Sequence, residues 1–129
     1  MTMRLLDTDI MIDVLRSYPP ALEWLSSVGN ESIALPGFAV MELIQGCSDK
    51  SEQNRLLVSI ADLEIMWPEA ETCKRALKTF AEYRLGHGIG IIDTLIGQMA
   101  ADEDIPLHTF NIRHYRIIPG LEIISPYQK

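Results

Sequence analysis

The sequence predicts an α/β protein with a mostly parallel central sheet. Short apolar runs recur as strand candidates, and between them lie longer stretches with apolar residues at helical spacing. The length of 129 residues suits one domain over 1–129. A chain of that size buries roughly 65–70% of its unfolded surface, enough for a core without staples.

In chain order, Met3–Leu6 is the first strand candidate and leads into a helix over Asp9–Arg16. Pro19 and Pro20 stand where a first helical turn tolerates proline, opening a segment through Val28. Ile33–Leu35 is the second strand. Pro36 starts a helix whose Val40, Leu43, Ile44 and Cys47 recur at i, i+3, i+4 and i+7. Ser51–Ala61 reads as helix, Leu63–Met66 as strand, and Glu69–Leu85 as a longer helix. Gly86, Gly88 and Gly90 form a flexible lead-in to a helix over Ile91–Asp102, with Ile92, Leu95, Ile96 and Met99 as its apolar stripe. Leu107–Thr109 and Glu122–Ile124 are the late strands.

Composition narrows the function classes. With 47% apolar and 22% charged residues the chain reads as a globular protein, and no apolar run approaches a membrane span. Only Leu5 and Leu6 precede Asp7, too little for a signal-peptide core. Cys47 and Cys73 lie far apart outside any CxxC pattern, so they read as reduced thiols of a cytoplasmic protein, and no structural zinc is expected. The net charge of −7 argues against gripping nucleic acid by bulk electrostatics. Phosphate would have to be handled through bound cations or a local basic patch.

Oxygen-bearing side chains supply the candidate site. "LLDTDIMID" places Asp7, Thr8 and Asp9 directly after the first strand, at the strand end where open α/β sheets gather their working groups. Asn111 follows the Leu107–Thr109 strand. Glu42 falls off the apolar stripe of its helix, and Asp93 opens a helix whose Gly97 and Ala100 permit close packing. Carboxylates held together repel unless a divalent cation neutralises them, and hard oxygen ligands suit Mg²⁺ or Mn²⁺. Each residue also has a plainer use: Asp7, Thr8, Asp9 or Asp93 as a helix cap, Glu42 as a solvated side chain, Asn111 as a turn residue. Asp13, Asp102, Glu103 and Asp104 read as surface charge.

Four segments in order go further. "LLDTDIMIDVLR", "AVMELIQG", "GIGIIDTLIGQMA" and "PLHTFNIRHYRIIPGLEIISPY" resemble PIN-domain ribonucleases, and most of all the VapC-type toxins of toxin–antitoxin pairs. The resemblance implies a PIN-like three-layer α/β/α sandwich. It implies that Asp7, Glu42 and Asp93 hold one or two Mg²⁺ (or Mn²⁺) ions for RNA hydrolysis, with Asn111, where some members have Asp, orienting water nearby. Thr8 would fix a carboxylate from behind. The Arg113–His114–Tyr115–Arg116 patch would hold substrate phosphates or stack a base. A homodimer and a cognate, DNA-binding VapB-like antitoxin are the implied partners; Ala76, Leu77 and Phe80 on the Glu69–Leu85 helix offer a surface for either, or else pack into the core.

Two other readings compete. Asp7-x-Asp9 after a strand imitates the nucleophile loop of haloacid-dehalogenase-like phosphatases, but that motif wants Thr or Val at position 11, which is Met. A PIN-like binding module without turnover is the other, with Asn111 as the feature in its favour.

Overall fold

The computed structural model describes residues 3–129. Its centre is a five-stranded parallel sheet of β1 (Arg4–Leu6), β2 (Ile33–Pro36), β3 (Glu64–Met66), β4 (Leu107–His108) and β5 (Ile123–Ile124), in the order β3-β2-β1-β4-β5. All strand pairs are parallel, so the sheet is more uniform than the sequence predicts. Among the described residues, seven α-helices connect them: α1 (Thr8–Leu15), α2 (Pro19–Val28), α3 (Gly37–Gln45), α4 (Lys50–Ser59), α5 (Ala70–His87), α6 (Ile91–Asp102) and α7 (Ile112–Tyr115).

Strand alternation divides the core in two. Leu5, Ala34 and Leu107 are register partners and face Ile96, Met99 and Ala100 of α6 together with Tyr115 and Ile118. Leu6, Ile33 and Leu35 face the other way, onto Ile10 and Met11 of α1, Val40 and Leu43 of α3, and Leu56 of α4. Each side chain points to the face opposite its neighbour's, which makes the three α/β/α layers. Leu5 and Leu6 are fully buried, each worth roughly 2 kcal/mol in removed apolar surface.

Three local differences have physical reasons. Helix α5 runs through Gly86 and ends only at Gly88, whose φ of 68° allows the left-handed cap and whose N–H donates to Arg84 O at 2.9 Å. The expected lead-in is thereby shortened to residues 88–90, between the end of α5 and the start of α6. Helix α7, four residues long, lies below the length that periodicity can detect. On α5, Ala76 is buried and Phe80 packs against the core, so these two belong to packing, while Leu77 is 68% exposed.

No helix among the described residues is long and apolar enough to cross a membrane. Both cysteines are free.

Candidate active site

The strand order reverses at β1, which has β2 on one side and β4 on the other. Loops leaving β1 and β4 therefore diverge and open a crevice at the carboxyl end of the sheet. Asp7 leaves β1 there and Thr109 leaves β4, held edge to edge by the Asp7 N–H donating to His108 O at 3.0 Å.

Asp7 is both cap and site residue. Its Oδ1 accepts the Thr8 N–H at 2.8 Å as the N-cap of α1, while its Oδ2 accepts the Thr109 hydroxyl at 2.9 Å. It is 5% exposed. Asp93 arrives from the first turn of α6, whose N-cap is Gly90, so the capping use of Asp93 is excluded. The Tyr115 hydroxyl donates to Asp93 Oδ1 at 3.2 Å, and the Asp7 carboxylate acts on the same hydroxyl. Gly97, one helical turn after Asp93, makes this approach possible: a Cβ there would overlap Ile118 and crowd the Tyr115 ring.

Asp9 supports the cluster from behind. Its Oδ1 accepts the Ile10 N–H at 2.8 Å; its Oδ2 accepts the Phe110 N–H at 2.8 Å and lies 3.2 Å from the Thr109 hydroxyl. The Thr109 and Tyr115 hydroxyls thus carry one proton each among three carboxylates. Burial, followed by the charge of Asp9, pushes the Asp7 carboxyl from its ordinary 3.8 up to about 6, and Asp93 adds to the shift. Burial also raises Asp93, against the opposing Tyr115 hydrogen bond. Burial and the same carboxylates raise Tyr115 far above the usual phenol range, so it stays a donor.

Glu42 stands apart from this cluster. It is exposed on α3 and joins the site through the Thr8 hydroxyl, which donates to Glu42 Oε1 at 3.0 Å. Thr8 thereby bridges Asp7 and Glu42. Among the described residues no three His, Cys, Asp or Glu side chains stand close enough to hold one ion as they are placed. The donor chemistry nonetheless fits a hard divalent cation: the carboxylate oxygens of Asp7 and Asp93, raised first by burial and then by neighbouring negative charge.

Asn111 precedes α7, and its N–H donates to Thr109 Oγ1 at 3.0 Å. Its Nδ2 lies 3.0 Å from His114 Nδ1; an amide nitrogen only donates, so the imidazole proton belongs on Nε2. His114 Nδ1 stands 3.9 Å from Asp93 Oδ2, so the imidazole that Asn111 holds lies beside the acids without a hydrogen bond to them. Arg113 and Arg116 are exposed. Tyr115 is not: at 0% exposure it cannot stack a base, because helix α7 turns it into the core.

Two residues read as surface charge are also held in place. Asp13 accepts the Tyr127 hydroxyl at 2.7 Å, and Asp102 pairs with Arg75 Nη2 at 2.6 Å; Glu103 and Asp104 are exposed as expected. Thr109 and the Tyr115 hydroxyl are the site groups that sequence reasoning passed over. The Thr-x-Asn turn was the available signal for the first, and nothing local marked the second.

A parallel sheet with acids gathered where its strand order reverses defines an α/β protein with an acidic crevice at that point, and the chain belongs to one family of such folds: residues 4–118 match the PIN domain. The chain is 33% identical to Ribonuclease VapC10 of Mycobacterium tuberculosis, over 96% of this chain and 92% of that protein. It is 31% identical to Ribonuclease VapC19 of the same organism, over 97% of this chain and 100% of that one. Among solved structures, DNA-bound VapBC from Salmonella typhimurium shares the fold with a TM-score of 0.79 at 23% identity, covering 96% of this chain and 98% of that chain. The resemblance drawn from the four motifs thus holds, and the phosphatase reading gives way to it. Asp9, the acid that reading needs free, is taken up by two backbone N–H groups.

Proposed function

We propose that this chain, as a single PIN domain, is a Mg²⁺-dependent endoribonuclease of the VapC-like toxin type that hydrolyses RNA phosphodiester bonds. The observation that carries the reading is the gathering of Asp7 and Asp93 in the sheet crevice, where the buried Tyr115 hydroxyl donates to Asp93 and feels the charge of both carboxylates. The relatives named as ribonucleases support it. Asp7 and Asp93 would hold Mg²⁺ or Mn²⁺, with Glu42 brought to the same face by Thr8. When bound, the ion supplies Lewis acidity toward water and the scissile phosphate. Asp9 and Thr109 keep the two loops in register, and the Asn111 amide oxygen serves as an acceptor that orients water. The exposed Arg113 and Arg116, with His114, hold substrate phosphates on a chain otherwise too acidic to attract them.

Purified protein should cleave RNA with Mg²⁺ and stop in EDTA. Asp93→Asn should abolish cleavage with the fold intact. Asn111→Ala should lower the rate far less, and Asn111→Asp should stay active, because an amide is a weaker cation ligand than a carboxylate. Cleavage that survives EDTA, or a fully active Asp93→Asn protein, would refute the metal site.

The partner belongs to the same proposal. A cognate VapB-like, DNA-binding antitoxin in the cytoplasm would place a basic side chain among Asp7, Glu42 and Asp93, where Arg makes a strong charge-assisted contact. The chain would act as a homodimer, with the exposed Leu77 of α5 on the self-association surface. Mg²⁺ titrated into the inhibited complex should restore cleavage; inhibition that no excess of metal relieves would move the blocking contact elsewhere.

A further inference from the structure

The match to the family ends at residue 118, yet the segment after β5 is tied to the site. The Tyr127 hydroxyl donates to Asp13 Oδ2 on α1 at 2.7 Å, and Lys129 Nζ reaches the same oxygen at 3.0 Å. The Tyr127 ring meets Phe110 edge-on, with centroids 5.0 Å apart, and Lys129 Nζ stands 4.8 Å from the centroid of the same Phe110 ring. Tyr18 and Trp24 close the aromatic surround from α2 and its lead-in, 6.1 and 6.4 Å from Tyr127. Phe110 is the residue between Thr109 and Asn111, and Asp9 already holds its N–H.

We infer that residues 126–129 form a strap that clamps Phe110 against α1 and thereby positions Asn111, with Tyr127 as the positioning residue. Phe110 is fixed at both ends, its backbone by Asp9 and its ring by the strap. The chain then has little freedom in how it presents the next residue. Within the strap the Lys129 ion pair counts least, because the lysine side chain is 45% exposed and solvent screens its charge. The half-buried Tyr127 ring and its hydroxyl on Asp13 carry the restraint.

The activity arm of the test rests on the proposed ribonuclease function; the exchange arm does not. In the full chain without RNA or metal, Tyr127→Ala should speed amide hydrogen exchange at Phe110 and Asn111 by about tenfold or more, leaving α5 amides unchanged. Tyr127→Phe, which keeps the ring, should fall in between, and Lys129→Ala should change little. With RNA, Tyr127→Ala should lower kcat about tenfold with KM nearly constant, and adding Asn111→Ala should cost little more, since both act on one group. Should Tyr127→Ala fail to fold, Tyr127→Phe and Asp13→Asn together should speed exchange no more than either alone. Exchange at Phe110 and Asn111 that is unchanged, or that rises equally across the whole sheet, overturns the strap. A chain that cleaves no RNA refutes the function and leaves the exchange result to decide the strap.

Discussion

Replacing Asp7 with asparagine is expected to abolish RNA cleavage and, in EDTA at pH 8, to make the fold more resistant to urea. The two effects have one cause. Asp7 is buried beside two other carboxylates, and its carboxyl is raised from 3.8 to about 6. The folded protein therefore binds that proton more tightly than the unfolded chain does. The stability this contributes is fully present below about pH 4 and is lost as pH rises through about 6. The difference between 3.8 and about 6 corresponds to about 3 kcal/mol, so the metal-free protein should weaken by up to that amount between pH 4 and 7. Asp93 shifts in the same direction. Asparagine keeps the shape without the charge, so the weakening should shrink in the variant while activity falls by more than about 100-fold, beyond what partners behind a metal ligand usually contribute. Urea midpoints of both proteins from pH 4 to 8, with and without Mg²⁺, check this. Equal pH dependence in the two would show that Asp7 carries no such strain.

Tyr115→Ala is expected to be the most destabilising single change at the site, at about 3–5 kcal/mol. The ring is fully buried among α6, α7 and β4 residues, so truncation leaves a cavity and removes the donor from Asp93. Tyr115→Phe separates the two losses. It retains the packing and deletes one hydroxyl, for about 1–2 kcal/mol. It should also raise the Asp93 carboxyl further, since the Tyr115 hydrogen bond is what opposes its shift. Urea unfolding of both variants is the measurement. If Phe proves as costly as Ala, the hydroxyl rather than the ring holds the region together.

Most of the architecture was legible because it depends on local pattern. Strand candidates at Met3–Leu6, Ile33–Leu35 and Leu63–Met66 differ from the observed strands by one residue at an end, since apolar runs between turn signals and helical spacing are properties of neighbours in sequence. Asp7, Thr8, Asp93 and Asn111 were legible for the same reason, each standing at the start of a helix or the end of a strand. The order of the strands and the reversal at β1 were not, because pairing between distant segments leaves no mark within either.

The sequence by itself determined the fold class, the placement of acids at the strand ends and, through four ordered motifs, the family. Only the tertiary structure decided how those acids stand to one another. It put the Tyr115 hydroxyl on Asp93 within the field of Asp7, left Glu42 on the rim behind Thr8, and turned Tyr115 inward. It also converted Asp13 from a surface charge into the anchor of the Tyr127 contact. The physical reason is the same in each case. A side chain's ionisation and partners depend on what packs against it, and at Asp7 that neighbour, Thr109, stands 102 positions away in the chain.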